Sequence, residues 1–174
     1  MILDEVTALE VERARIESKI ASKMLDFQDL RRREADSEPD PTRRSLVASS
    51  AADELGVVLR LPTRTVQCRL AEARRMRGLL PQTWLAFRRG EFDAYRVSLI
   101  ASAAAKLPDN HALIHLDHEA GGKAARQTPS QLKGWLKRFV ARNTTDNGAK
   151  AEHAKRSVWV VLREIGRASC RERV

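Results

Sequence analysis

The sequence predicts an all-α fold, a multi-helix bundle with one isolated C-terminal strand. Apolar residues return every three or four positions through most of the chain, as they do on the buried face of a helix. Proline, glycine and capping residues separate these periodic segments. Only residues 157–164, which include Ser-Val-Trp-Val-Val-Leu, show the composition of a strand. At 174 residues the chain is long enough for one domain with a core, which we place at residues 1–156.

Residues 1–34 predict one long amphipathic helix with an apolar stripe along one side. A helix of about 30 residues exceeds the usual length in a globular domain. We therefore expect it either to brace the whole bundle or to pair with another chain. The stripe consists of Val6, Leu9, Ile16, Ile20, Met24, Phe27 and Leu30.

A loop is predicted from Asp36 to Thr42, where acids and two prolines interrupt the periodicity. The next helix is expected near Arg44 to Leu59. Its inward positions are predicted to be Leu46, Val47, Ala51, Leu55 and Val58.

Residues 49–77 predict a helix-turn-helix-like unit. A short helix is followed by a break at Arg60-Leu61-Pro62 and by a second helix that starts at Thr63. Pro62 disfavours helix at the residue before it, and Thr63 is expected to cap the new helix. Val66, Leu70 and Ala73 recur at helical spacing, so they should face the core.

The outward face of this second helix could read DNA. Arginine can grip guanine edges or phosphates, glutamine can read adenine, and threonine can serve either. A solvated scaffold face is the alternative, since arginine is common on helix surfaces and Glu72 would repel a phosphate. The candidate contact residues are Arg64, Thr65, Gln67, Arg69, Arg74 and Arg75.

Further helices follow in the predicted bundle. Pro81 opens a short helix, which ends at Gly90 and places its aromatic residues in the core. Asp93 is expected to cap the next helix, which runs to Leu107. Thr128-Pro-Ser-Gln131 matches a capping box and opens a helix that ends at Asn143.

The segment His-Ala-Leu-Ile-His-Leu-Asp-His places His111, His115 and His118 within one arc of a helix. That geometry can bind zinc, but we interpret these residues as ordinary polar positions and predict no metal and no cofactor. Cys68 and Cys170 have neither metal-ligand spacing nor a disulfide framework. No apolar run approaches the roughly 20 residues of a membrane span, and the acidic N-terminus is unlike a secretory signal, so we expect a cytoplasmic protein without membrane contact.

The charge pattern favours a polyanionic partner. The net charge is +9, and acids outnumber bases before Leu30. Between Arg60 and Arg96 nine arginines accompany only three acids. The positive charge is therefore concentrated on and after the helix-turn-helix-like unit, which suggests duplex DNA as a partner.

From about Ala8 to Leu162 the sequence resembles the domain of unknown function 222 family. Four segments carry the resemblance in the family's order: SSAADELGVVLRLPTRTVQCRLAEARRM, LPQTWLAFRRGEFDAYRVSLIASAAAKL, TPSQLKGWLKRFVAR and RSVWVVL. One departure is Pro62, where the family usually has serine, which alters the cap of the second helix.

The resemblance implies a helical module of the kind that commonly precedes an HNH endonuclease domain in bacteria. The nuclease motif uses histidines to activate water and hold a divalent metal, and nothing in this chain matches it. No catalytic residue can therefore be assigned, and we expect the chain to be truncated before the nuclease. Residues 165–174 do not resemble the family, and we interpret them as a non-native tail.

Two functions follow from these observations. The first is a non-catalytic DNA-binding module that targets an HNH-associated protein. The second is a helical scaffold for self-association through the N-terminal helix, or for partner docking, without a nucleic-acid role. An enzyme is a distant third, because the chain shows no activated nucleophile and no phosphate-binding glycine loop.

Overall fold

The computed structural model describes residues 1–144, which are helical in seven segments and confirm the all-α class. The strand predicted at 157–164 and the tail predicted at 165–174 lie outside the described residues. The seventh helix, α7, covers residues 129–144. The others are α1 (Ile2–Ser37), α2 (Pro41–Leu59), α3 (Thr63–Leu79), α4 (Pro81–Arg89), α5 (Ala94–Ala104) and α6 (Asn110–Arg126).

Helix α1 has 36 residues, three more at its C-terminal end than the sequence predicts. Its C-terminal part packs on α2 and α3 and buries Met24, Leu25 and Ala35. Further towards the N-terminus it meets α4, where Ala14 is buried and Arg15 Nε donates to the carbonyl of Arg89 at 2.9 Å. The bracing role expected for the long helix is therefore carried by residues 11–35.

Helix α2 begins at Pro41, so the loop predicted at 36–42 shrinks to residues 38–40. The cause is a capping residue: Asp40 Oδ1 accepts from the backbone N–H of Thr42 at 2.8 Å, and proline fits the first helical position.

The inward positions predicted for Leu46 and Val58 are wrong, because these side chains are 64% and 77% exposed. Among the described helices, α2 packs mainly on α1 and α3, and it does so through the small residues Ala51, Ala52 and Gly56. Close packing through small residues leaves Leu46, Val57 and Val58 on the open sides, whereas Leu55 and Leu59 are partly buried against the core.

The remaining helices begin where their caps predict. Asp93 Oδ1 accepts from the backbone N–H of Arg96 at 2.8 Å, which confirms the cap of α5. The capping box of α7 is also formed: the N–H of Thr128 donates to Gln131 Oε1 at 2.9 Å, and the N–H of Gln131 donates to Thr128 Oγ1 at 3.4 Å. These helices close one core, whose largest fully buried side chains are Phe87, Phe139, Leu25, Met76, Leu80, Ile100, Leu116 and Leu132.

A buried carboxylate joins α6 to the start of α4. Asp117 Oδ1 accepts from the N–H of Thr83 at 2.8 Å, and Oδ2 accepts from the N–H of Gln82 at 3.0 Å. The hydroxyl of Thr83 donates to the carbonyl of Asp117 at 3.1 Å. Because α4 has no side-chain cap of its own, Asp117 satisfies its first free N–H groups.

Within residues 1–144, no helix combines the length and the apolar character that crossing a bilayer requires.

Candidate nucleic-acid interface

The connection between α2 and α3 is only three residues long, and a helix-stop motif fixes it. Arg60 adopts the left-handed conformation (φ 54°, ψ 43°). The N–H of Leu61 then donates to the carbonyl of Gly56 at 2.9 Å, and the N–H of Arg60 donates to that of Val57 at 3.3 Å. This is the Schellman arrangement, here with arginine where glycine is usual.

Helix α3 begins at Thr63, but the cap predicted for that residue is not formed. Pro62 occupies the capping position and offers no side-chain acceptor. The hydroxyl of Thr63 instead donates to Asp53 Oδ1 of α2 at 2.8 Å. The first turn of α3 is therefore anchored to α2, and the connection sets its direction.

The inner face of α3 is as predicted: Val66, Leu70 and Ala73 are buried, together with Met76. The opposite face is open over the first two turns. Arg64 and Gln67 are exposed there, and Thr65 is half-buried. In the described part of the chain, neither Arg64 nor Gln67 has a hydrogen-bond or ion-pair partner.

Arg69 is exposed on a different side of α3. Five residues of helix separate it from Arg64, which turns its side chain by about 140°. It lines a cleft of about 410 Å³ between α1, α3 and α5, with Glu72 and Tyr95 among its neighbours. No hydrogen bond or ion pair within residues 1–144 holds its guanidinium group.

The second half of α3 is engaged with the rest of the protein. Arg74 is half-buried and donates to Gln28 Oε1 of α1, and burial lowers the pKa of its guanidinium. Arg75, also half-buried, donates to the carbonyl of Ala101 in α5 at 3.3 Å. Both predicted contact residues therefore use guanidinium donors in hydrogen bonds within the protein.

Arg77, which was not among the predicted contact residues, links α3 to α1 by a salt bridge. It donates to Asp29 Oδ2 at 2.8 Å and lies 4.0 Å from Asp26. This hydrogen bond lowers the pKa of the Asp29 carboxyl. In the sequence, this link is indicated only by the spacing of Asp26 and Asp29, which places both carboxylates on one side of α1.

Residues 5–169 match the protein family described as Domain of unknown function (DUF222). The match covers nearly the whole chain. The chain belongs to the DUF222 family. This confirms the resemblance drawn from the sequence, and the match extends past Leu162, where we ended that resemblance. None of the curated proteins and none of the solved structures matches the chain.

A second open surface of this DUF222 chain lies on α1. Every residue from 1 to 10 is exposed, and no hydrogen bond or ion pair of these residues reaches another described helix. We call residues 2–10 the α1 arm. Its apolar side chains continue along the helix as the α1 stripe, which is 42–76% exposed and consists of Ile2, Val6, Leu9, Ile16 and Ile20.

The histidines of α6 are not gathered into a site. His115 Nε2 pairs with Glu119 at 2.9 Å, and its ring lies 5.4 Å from that of Phe139. Among residues 1–144 no group of three or more histidine, cysteine, aspartate or glutamate side chains is arranged to hold a metal ion. Cys68 is a free, exposed thiol on α3.

Proposed function

We propose that this DUF222 chain is a non-catalytic DNA-binding module in which α2 and α3 act as a helix-turn-helix. The observation that carries the proposal is the open first half of α3. It follows a rigid three-residue connection and presents Arg64, Gln67 and Arg69 without partners in the described residues, in a chain of net charge +9.

The open residues suit the role that the first turns of a recognition helix play. In helix-turn-helix proteins those turns contact base edges in the major groove. Arg64 and Gln67 lie on the outermost side of α3, where the arginine fork matches guanine and the glutamine amide matches adenine. Arg69 lies on the flank, from which a guanidinium group reaches a phosphate more readily than a base. Thr65 lies on α3 between the side of Arg64 and the flank of Arg69, and it supplies a hydroxyl that can bond either a base or a phosphate.

Arg74 and Arg75 take a different part in this proposal. Their bonds to Gln28 and to the carbonyl of Ala101 hold α3 against α1 and α5. A donor already used inside the protein gains less from a phosphate, because binding must first break the internal bond. We assign them to positioning α3, and the four residues of its first half to contact.

The resemblance drawn from the sequence adds a context to the proposal. If the module stands beside an HNH endonuclease domain, as such domains commonly do, its role is to hold that nuclease on duplex DNA. The DNA-binding step itself depends only on residues of this chain.

A test reverses the charge of both unpartnered arginines. The variant Arg64→Glu/Arg69→Glu should bind a mixed-sequence DNA duplex at least about tenfold more weakly at low salt, because phosphate contacts dominate non-specific affinity. Its plot of log affinity against log salt should be shallower by about 2, since each lost contact releases about 0.9 counterion fewer.

The matched control is Arg142→Glu, which reverses an exposed arginine on α7. It changes the net charge by half as much and should leave the salt slope unchanged. A loss of log affinity about half as large as that of the double variant would mean that net charge alone attracts the DNA. No binding of the unaltered chain to duplex DNA at low salt would remove the proposal.

The α1 stripe favours a second function, self-association of the chain. A row of large apolar side chains on an exposed helix is typical of a protein–protein contact. Changing Ile16 and Ile20 to Asp should then lower the sedimenting mass of the protein. A scaffold of this kind needs no nucleic acid, and an unchanged mass would exclude it.

A further inference from the structure

The α1 arm is a short length of helix with exposed apolar side chains and no hydrogen bond or ion pair to another described helix. In proteins most of the stability of a helix comes from packing of an apolar face rather than from intrinsic propensity. Ile2, Val6 and Leu9 are 76%, 52% and 65% exposed. The arm therefore has the composition of a helix that another surface covers.

The spacing of the α1 stripe is that of a coiled coil. Its members follow one another at intervals of four and three residues, with Arg13 filling the one position between Leu9 and Ile16. The next position of the series is Lys23, so the apolar heptad pattern runs from Ile2 to Ile20, a little under three repeats. Alternate steps of three and four residues form the a and d seam along which two helices pack.

Among the described helices, α2 covers α1 beyond the C-terminal end of this seam, where Glu54 pairs with Arg31. Where α2 ends, an apolar groove of about 620 Å³ opens between the two helices. Ile16 and Ile20 of α1 line this groove opposite Leu55, Val58 and Leu59 of α2.

We propose that the occupant of this seam is the α1 arm of a second copy, in an antiparallel two-fold pair centred on Val11. In this register each arm reaches the open groove of the other molecule. A two-fold contact closes on itself, so it makes a dimer rather than a filament. The facing positions are Ile2 with Ile20, Val6 with Ile16, and Leu9 with Arg13.

Charge selects the antiparallel direction. A parallel pair would place Arg13 against its own copy and would set Glu5 beside Glu10 and Glu12 beside Glu17 of the second copy. Like charges at such positions are destabilising. Both ends of the α1 stripe would then carry repulsion, and the groove at Ile20 would stay empty.

The antiparallel pair removes most of this repulsion. It sets Glu5 beside Lys19 of the second copy, and the symmetry forms that pair twice. Lys19 lies at the edge of the apolar groove in this structure. Glu10 and Glu12 each meet their own copies close to the axis, where the two Arg13 side chains supply opposite charge. Arg13 Nη2 already lies 2.8 Å from Glu10 within one chain.

This inference rests on the self-association proposed above and is independent of DNA binding. It is tested by disulfide trapping in the full chain with Cys68 and Cys170 replaced by Ala. The double variant Val6→Cys/Ile16→Cys should form a covalent dimer on mild oxidation. Each single variant should stay monomeric on a denaturing gel, because equal positions lie far apart in an antiparallel pair.

A charge swap checks the register without cysteines. Glu5→Lys should weaken the dimer about tenfold, because it replaces two attractive pairs by repulsive ones. Adding Lys19→Glu should restore the affinity. Circular dichroism of each variant verifies that the helices remain folded. Ile114→Asp, which changes an equally exposed apolar residue on α6, should not alter the mass.

The outcomes separate the register from self-association itself. A covalent dimer from Val6→Cys alone would show a parallel pair and overturn the inference while self-association stands. A dimer that the double variant fails to trap would also overturn it. A chain that sediments as a monomer at all accessible concentrations would remove both.

Discussion

Glu72 is a half-buried carboxylate beside the candidate interface. It lines the cleft that Arg69 also borders, and no hydrogen-bond donor within residues 1–144 reaches it. Burial raises the pKa of Glu72, and the positive charges of Arg75 and Arg69 only partly oppose that effect. A raised pKa in the folded protein means that the folded state holds the proton more tightly than the unfolded state does.

The pH dependence of the free energy of unfolding follows from the difference between the folded and unfolded pKa values of Glu72. The contribution of Glu72 to stability is complete below its unfolded pKa, near 4.5, and is lost as the pH rises through its higher folded pKa. We therefore expect Glu72→Gln to be more stable than the unaltered protein at pH 7. The difference should shrink as the pH falls through the folded pKa and be absent below 4.5, and urea unfolding at several pH values measures it.

Glu54 should affect the pH dependence of stability in the opposite direction. Hydrogen bonds from Arg31 and Ser50 lower the pKa of Glu54. Glu54→Gln should therefore be less stable than the unaltered protein at pH 7, and this deficit should disappear in acid. If both substitutions followed the same pH trend, the environment assigned to Glu72 would be wrong.

At the scale of elements, the approach of α1 to α4 depends on Gly90. This residue ends α4 with φ +83°, where a side chain is strained. A Cβ atom built there would lie 2.6 Å from the carbonyl oxygen of Val11 and 2.8 Å from Cγ of Arg15. Both the turn and the helix contact therefore require glycine.

Two glycine substitutions distinguish the structural need for Gly90 from the general effect of glycine on helix stability. Gly90→Ala should lower the free energy of unfolding by about 2–4 kcal/mol, because it adds a clash to an unfavourable backbone conformation. Gly78→Ala should instead raise it by up to about 1 kcal/mol, since Gly78 lies within α3 and a Cβ there meets nothing within 4 Å. Urea unfolding of both variants is the measurement, and equal effects would contradict this account of the α1–α4 contact.

The sequence predicted where helices begin and end better than it predicted which other helices cover them. The caps at Asp93 and Thr128 and the break at Arg60-Leu61-Pro62 are local signals, which depend on residues within a few positions. The inward positions predicted for Leu46 and Val58 were wrong because a periodic pattern shows which side chains share a face. It does not show whether another helix covers that face. Arg74 and Arg75 could not be told from Arg64 and Arg69 in the sequence, because their partners lie in α1 and α5, far along the chain.

For the whole molecule, the two proposed surfaces meet at one cleft, which Arg69 of α3 and Ile20 of the α1 stripe both line. Arg64 and Val6 are not among the residues that line it. The single variant Arg64→Glu should therefore keep its mass, and Val6→Asp should leave both open arginines in place. These two substitutions test each function while the other remains intact.

Self-association also predicts a stability that depends on protein concentration. When folded chains pair and unfolded chains do not, mass action favours the folded state at higher concentration. A tenfold rise should increase the melting temperature by about 2 °C for a dimer of chains this size. Val6→Asp should abolish that dependence, because it places a charge within the seam, while Ile114→Asp should retain it. Scanning calorimetry over a hundredfold concentration range measures this, and a constant melting temperature for the unaltered chain would show that α1 does not pair.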